Sequence, residues 1–175
     1  MARKTIEEEW EALDGRPSKT EQKKAVQRMQ ALGEQLATLS AAQIKKLPVD
    51  EQLKDALLDL ISITSFEARR RQSQRVGKLL RMEDETVLMT ALSPRQGLKK
   101  QAQLTRWIDR LLEQGDGAIN DFVRQYPAAE RHTLRQHVLR VKRDITQEYP
   151  EQEQAESRQK MVNYVQQVAL LSDDN

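Results

Sequence analysis

Residues 64–82, TSFEARRRQSQRVGKLLRM, separate apolar from basic side chains with the period of an α-helix. At 100° per residue, one side of that helix carries Phe66, Val76, Leu79 and Leu80. The other side carries a row of cations within an arc of roughly 140°; these are Arg70, Arg71, Arg75, Lys78 and Arg81. Arg69 falls on the apolar side, so its side chain is expected to extend toward water along that surface. One face is therefore expected to be buried, while the other meets something anionic.

The limits of this helix follow from its flanking residues. Thr64 with Glu67 fits a capping box, which predicts a helix start at that point. Gly77 inside the helix costs about 1 kcal/mol relative to alanine. No proline follows until Pro94, so nothing in the pattern interrupts the helix before residue 82.

Three helices are predicted upstream. Ser18 with Glu21 fits a capping box for a helix over residues 19–38, and Ser40 is expected to cap a short helix ending at residue 46. Asp50 is expected to cap a third helix, whose apolar stripe consists of Leu53, Leu57, Leu60 and Ile61. The pattern leaves open whether this third helix continues into residues 64–82 as one rod.

Downstream, a weaker helix is predicted over residues 83–92, followed by a hinge at Ser93-Pro94 that also begins the next helix. That helix runs to about residue 114 and has a buried stripe of Leu104, Trp107, Ile108, Leu111 and Leu112. Asp116 is expected to cap a short helix that ends near residue 126. The last two helices carry apolar seams, which are Leu134, Val138, Val141 and Ile145 in the first, and Met161, Tyr164, Val165, Val168 and Leu171 in the second.

These patterns predict an all-α, elongated, multihelical protein. Only 6 glycines, 5 prolines and 4% aromatic residues occur, which disfavours an all-β fold. The charged fraction is 32%, above the usual value of about 25%, which favours a thin helical protein with much surface. We expect a flexible arm over residues 1–16 and two helical lobes, over residues 17–93 and 94–175.

Several classes of protein are disfavoured. The chain has no cysteine, which excludes disulfides and cysteine-ligated zinc. The first residues, MARKTIEEEWEAL, lack the apolar segment of a secretory signal, and no apolar run is long enough to span a membrane. A cytoplasmic protein that does not contact membranes is therefore expected.

The net charge of +2 hides an uneven distribution. Residues 64–143 carry 17 Lys/Arg and 9 Asp/Glu, whereas residues 144–175 carry 2 and 7. Further cations in the basic part are Lys99, Arg106 and Arg110, which share one helix face, and Arg135, Arg140, Lys142 and Arg143, which surround the seam beginning at Leu134. Arginine matches phosphate oxygens bidentately, so these cations and the row in residues 64–82 are candidate RNA-binding residues. The same row also suits an acidic protein partner, and a helical adaptor remains the alternative.

The sequence contains no recognisable catalytic or metal-binding motif. His132 and His137 lie about 140° apart around a helix, so they are poorly placed to share a metal. His132 is expected among solvated residues, and His137 beside the apolar seam. The acidic trio Glu83-Asp84-Glu85 is interpreted as a helix-end feature. We expect no enzymatic activity, no cofactor and no metal.

Several segments together resemble the DarP family of bacterial ribosome-associated proteins, also called YjgA. They are PSKTEQKK, MQALGEQLATLS, IKKLPVDEQLKDAL, EARRRQSQRVGKLLR and RWIDRLLEQGDGAINDFVRQYPAAERHTLRQHVLRVKRD, in this order within residues 17–144. The resemblance implies an elongated all-helical, non-enzymatic factor in late assembly of the large (50S) ribosomal subunit. The implied partners are the 50S precursor, its 23S rRNA near the peptidyl transferase centre, and further ribosomal proteins. We expect the protein to be a monomer.

Residues that match the family's basic positions are Arg69, Arg70, Arg71, Lys78, Arg81 and Arg135, with Lys142 and Arg143 matching more loosely. Arg75 is a candidate only because the helical pattern places it on the basic side, and it does not depend on the family match. The segment YPEQEQAESRQK departs from the family, which is often basic there, so an RNA contact by this segment is in doubt.

Overall fold

The computed structural model describes residues 15–173, and within that range the chain forms α-helices and one 3-10 turn but no strand. The predicted all-α class is therefore confirmed. The α-helices, in chain order, are α1 (Lys19–Leu36), α2 (Ala41–Lys45), α3 (Glu51–Ser62), α4 (Phe66–Leu80), α5 (Glu85–Leu92), α6 (Gly97–Gln114), α7 (Asp116–Gln125), α8 (Arg131–Thr146) and α9 (Glu151–Asp173). The arm predicted for residues 1–16 falls outside the described residues except for Gly15 and Arg16.

The chain divides into two compact units. One unit is Ala25–Gln96, which holds most of α1, then α2 to α5 and the 3-10 turn Ser93–Gln96. The other contains residues 15–24 and 97–173, with α6 to α9. Each unit has its own buried apolar core.

The core of the Ala25–Gln96 unit is built mainly from leucines. The predicted apolar stripe of α3 is confirmed at Leu53, Leu57 and Leu60 but is wrong at Ile61, which is 41% exposed. The fully buried members of the core include Leu32, Leu36, Ile44, Leu53, Leu57, Leu60, Val76, Leu80, Leu88 and Leu92. The stripe of α1 therefore packs together with those of α3, α4 and α5.

Two glycines bring α1 and α4 unusually close. A Cβ added at Gly33 of α1 would lie 2.7 Å from Val76 Cγ1 of α4, and one added at Gly77 of α4 would lie 3.0 Å from Gln30 Cγ of α1. Both glycines are buried. Each glycine costs helix propensity, but in return it lets one helix backbone approach the other helix. Gly77 thus has a packing role that its sequence position alone does not show.

Helices α3 and α4 are separate, which settles the question of one rod or two. Ile63 ends α3 in an extended conformation, and α4 returns antiparallel to α3. Gln72 Nε2 donates to the carbonyl of Ala56 at 2.9 Å, and Arg69 donates to the carbonyl of Leu60 at 2.9 Å.

The start of α4 differs from the prediction. Its N-cap residue is Ser65, and no side chain caps the helix, so the predicted Thr64–Glu67 capping box is wrong. Phe66 is 80% exposed rather than buried. The buried stripe of α4 begins only at Ser73, because Arg69 occupies the inward position between Phe66 and Ser73.

Other predicted helix starts are confirmed in part. Ser40 forms a complete capping box with Gln43, and the Asp50 carboxylate accepts from the Gln52 N–H at 2.8 Å. Ser18 accepts from the N–H of Glu21 at 3.2 Å. However, the Glu21 carboxylate accepts from the His132 N–H at 2.9 Å.

Two helices do not begin at the predicted residue, and a glycine in the left-handed region lies at the start of each. Ser93 ends α5 and starts the 3-10 turn, whereas α6 begins at Gly97, where φ is +79°. Asp116 is the first residue of α7 rather than its cap, because Gly115 with φ +66° takes the cap position. In both cases a positive φ, which glycine adopts readily, lets the chain turn before the helix starts.

The second unit packs α6, α7, α8 and α9 around a core with Phe122 and Tyr164 at its largest positions. The seam of α8 is confirmed at Leu134, Val138 and Val141 but not at Ile145, which is 55% exposed. Ile145 lies in the last turn of α8, where the neighbouring residue, Asp144, is buried in its place.

Substituting Gly33→Ala tests the close approach of α1 and α4. The new Cβ would meet Val76, a buried and β-branched side chain with little freedom to move. Overpacking typically costs about 1–3 kcal/mol, more than the roughly 1 kcal/mol that alanine gains in helix propensity, so the free energy of unfolding should fall. Gly117→Ala is the control, because a Cβ there meets nothing within 4 Å. Urea unfolding followed by circular dichroism measures both, and equal stability of the two variants would contradict the packing argument.

Substituting Arg69→Ala tests the link between α1, α3 and α4. The change removes hydrogen bonds to the carbonyls of Leu60 and Ile63 and an ion pair with Glu34, so we expect a loss of about 1–3 kcal/mol in thermal unfolding experiments. The control is Arg71→Ala, which should change stability by less than about 0.5 kcal/mol because this side chain is exposed. A stability unchanged by Arg69→Ala would show that these contacts contribute little.

Candidate nucleic-acid interface

The solvent side of α4 carries a continuous basic surface, which we call the α4 basic face. Its residues are Arg70, Arg71, Arg75, Lys78 and Arg81, all of them exposed, as predicted. With a rise of about 1.5 Å per residue, they extend over roughly 16 Å along the helix. Glu67 is the acidic residue of this surface.

Most of the charge on the α4 basic face is not neutralised by neighbours. Arg70 pairs with Glu67 at 3.2 Å, and both side chains are more than half exposed, so the pair is weak. Among the described residues, no ion pair or side-chain hydrogen bond engages the other four, which are Arg71, Arg75, Lys78 and Arg81. Four cations are therefore able to meet an anionic partner without first breaking a contact of that kind.

The opposite side of α4 fixes the direction in which this face points. Val76 and Leu80 are fully buried, and Gly77 lies against Gln30 of α1. Because an α-helix is rigid over this length, holding one side sets the orientation of the other. The α4 basic face is thus a surface held by the core of its unit.

Arg69 differs from the other basic residues of α4. Its guanidinium donates to the carbonyls of Leu60 and Ile63 and, at 2.7 Å, to the Glu34 carboxylate. Three groups of the protein thus share its donors. The Arg69 side chain therefore does not simply extend toward water, as expected, but links α1, α3 and α4.

Three further candidate cations lie on α6, in the other unit. Lys99 and Arg106 are exposed. Arg110 is half-buried, donates to Asp121 and to Gln114, and lies with its guanidinium carbon 4.8 Å from the centre of the Trp107 ring. Lys99 and Arg106 thus remain accessible, while Arg110 is held in place.

The four candidates on α8 are all half-buried. Arg135 donates to Asp116 at 2.9 Å, and this guanidinium holds the pKa of the Asp116 carboxyl below its usual value. Arg143 bonds to Asp144 at 3.0 Å and lies over the ring of Tyr149 at 5.3 Å. The remaining two are Arg140 and Lys142. This group is consequently more engaged with the protein than the α4 basic face.

The thirteen candidate residues therefore form separate groups. Those of α4 lie in the Ala25–Gln96 unit, whereas those of α6 and α8 lie on two helices of the other unit. Sequence spacing predicted the exposure of the other five α4 cations and placed Arg69 on the apolar side of the helix. It did not identify the partner of Arg69, which is Glu34, 35 residues away.

The predicted solvated position of His132 is wrong. Its ring is half-buried, and Nε2 lies 2.8 Å from the carbonyl oxygen of Gly15. His137 lies beside the apolar seam of α8, as predicted, and its ring lies 5.1 Å from that of Tyr164.

Over residues 15–173, no group of three or more His, Cys, Asp or Glu side chains is arranged to hold a metal ion.

Sequence reasoning missed a small pocket next to Trp107. This residue was predicted to be buried, but it is only half-buried, and with Gln103, Arg106, Arg110 and Gln125 it lines a concavity of about 260 Å³. The sequence feature that could have revealed the pocket was the spacing of residues 103, 106, 107 and 110, which places them on one face of α6.

None of the helices in the described part of the chain has the length and apolar character needed to cross a membrane.

Comparison with known proteins identifies the family. A family model described as "Dual-action ribosomal maturation protein DarP" matches residues 15–166. A protein of that name from Vibrio parahaemolyticus is 40% identical over 143 residues, which cover 78% of this chain and 81% of the relative. The one from Nitrosomonas eutropha is 41% identical over 137 residues, covering 75% and 77% of the two chains. The one from Burkholderia cenocepacia is 36% identical over 142 residues, covering 77% and 70%. These matches confirm the resemblance seen in the sequence, and the chain belongs to the DarP family of ribosomal maturation proteins.

Proposed function

We propose that this protein acts in ribosome maturation by binding precursors of the 50S subunit through the α4 basic face. The observation that carries the proposal is the set of four exposed cations on α4 without an ion pair among the described residues. The name of the relatives, ribosomal maturation protein, supports the setting. The proposed ligand is the phosphate backbone of 23S rRNA near the peptidyl transferase centre, and the role implies a cytoplasmic location.

The chemistry of the α4 basic face suits phosphate recognition. Arginine stays charged and offers a planar set of donors that matches two phosphate oxygens at once. A straight helix can place these groups along one stretch of an RNA backbone, and neutralising each phosphate releases counterions. Such contacts recognise the shape and backbone of RNA rather than its base sequence.

A factor of this kind needs no catalytic group. Binding one conformation of the rRNA more tightly than another shifts the population toward the conformation that is bound. The free energy comes from the difference between the two affinities, which the basic surface can supply. We therefore propose a non-enzymatic, monomeric factor.

The other candidate residues are given different roles in this proposal. Lys99, Arg106 and Lys142 are proposed as further phosphate contacts, because no ion pair engages them among the described residues. Arg69 is a positioning residue that holds α4 against α1 and α3. The candidate arginines that already bond to other groups of the protein are expected to contribute less to RNA binding. They are Arg110, Arg135, Arg140 and Arg143.

The double substitution Arg71→Glu with Arg75→Glu is expected to abolish most binding to purified 50S precursors. Both side chains are exposed, so the fold should be unaffected, while reversed charges at two phosphate sites should weaken binding by tenfold or more, on the order of the effect of lost phosphate contacts. Co-sedimentation through a sucrose cushion measures the effect.

The matched control is Lys19→Glu with Lys23→Glu. These exposed lysines have the same spacing on α1, and glutamate suits the first turns of a helix. This control should bind like the parent. Equal binding by the Arg71/Arg75 variant and the parent would exclude the α4 basic face as the binding surface.

The salt dependence of binding to a 23S rRNA transcript gives a second test. Each phosphate contact contributes about −0.7 to −0.9 to the slope of log K against log salt concentration. Replacing Arg71→Gln and Arg75→Gln should therefore make the slope shallower by about 1.4–1.8. Filter binding at several salt concentrations measures it. An unchanged slope would show that these arginines do not meet phosphates, and an absence of RNA binding by the parent would favour an acidic protein partner.

A further inference from the structure

The pocket next to Trp107 combines three kinds of group, an indole, guanidinium groups and amides, on one concave surface. Gln103, Arg106, Trp107 and Arg110 lie on a single face of α6, and Gln125 at the end of α7 completes the lining. Its volume of about 260 Å³ is just below the usual range of about 300–1,000 Å³ for small-molecule sites. This size suits one planar ring system rather than a larger ligand.

The aromatic part of the pocket is rigid. The ring of Trp107 meets Phe122 edge to face at 5.3 Å and Tyr126 at 6.4 Å, and both of these partners belong to the buried core. Arg110 lies against Trp107 at 4.8 Å and is held by Asp121 and Gln114. An indole and a guanidinium that are both held in place are groups on which a base can stack.

The polar part of the pocket offers both charge and hydrogen bonds. Arg106 is exposed, and no ion pair engages it among the described residues, so it can meet a phosphate. Gln103 and Gln125 each carry an amide with two donors and an acceptor, which can pair with the edge of a base. Asp121 compensates the charge of Arg110.

We propose that this pocket receives one unpaired RNA nucleotide, with its base on Trp107 and Arg110 and its phosphate on Arg106. The proposal rests on the proposed RNA-binding function and extends it from backbone contact to recognition of an exposed base. Single-stranded loops and bulges present bases in this way, whereas a continuous duplex does not. The pocket would therefore make the protein sensitive to rRNA segments that are not yet paired.

The test uses the fluorescence of Trp107 in the full-length protein. Trp10, the other tryptophan of the chain, is replaced by Trp10→Phe so that a single indole emits. Two probes are compared, a uridine oligonucleotide of about 12 nucleotides and an abasic ribose-phosphate chain of the same length and charge. We expect quenching by the first and none by the second at equal amounts of bound probe, which fluorescence anisotropy of labelled probes measures.

Two variants locate the effect without disturbing the core. Arg106→Gln removes an exposed charge at the pocket and should weaken oligouridine binding by about fivefold or more, the size of one contact of this kind. Arg124→Gln removes an equally exposed charge of the same unit outside the pocket lining and should have a smaller effect. Equal weakening by the two variants would overturn the proposal.

The remaining outcomes separate this proposal from the one it rests on. Equal quenching by both probes would mean that the pocket holds phosphate and not a base, which overturns the nucleotide site. Binding of structured 23S rRNA without any quenching by oligouridine would overturn the nucleotide site and leave the α4 basic face intact. Absence of RNA binding altogether would overturn both.

Discussion

The close contact between α1 and α4 determines which side of α4 faces solvent. Gly33 and Gly77 let the two helices approach more closely than residues with a Cβ would allow. Arg69 adds a polar link, because it bonds to α3 carbonyls and to Glu34 of α1. With the inner side of α4 held in this way, its five remaining cations are fixed on the outer side. The binding surface proposed here depends on that packing as much as on the charges themselves.

The arginines of this protein do two different jobs. Arg69 and Arg135 are bonded to carboxylates of their own unit, and such contacts fix positions within the protein. Arg71 and Arg75 are exposed, with no ion pair among the described residues. Since both kinds look alike in a sequence, counting basic residues overestimates the surface that is available to RNA.

Much of the fold could be predicted from the sequence, because the helical period of Val76 and Leu80 and of the α4 cations depends only on local geometry. Contacts between distant segments could not be predicted in the same way. His132 was expected in solvent, but its ring Nε2 lies 2.8 Å from the carbonyl oxygen of Gly15, 117 residues away. Thr64 and Ser65 are adjacent and chemically similar, so the pattern could not select which one precedes the helix. The exposure of Phe66 could not be predicted either, because a periodic stripe does not show where burial along the helix begins.

We propose that the α4 basic face lies on RNA in maturing ribosomal particles. Ultraviolet crosslinking of particles isolated from cells, followed by mass spectrometry of RNA-bound peptides, tests it most directly. We predict crosslinked peptides from the segment around residues 70–81, and fewer from the exposed residues of α1. Crosslinks that avoid α4, or that join α4 to an acidic protein instead of RNA, would contradict this binding mode.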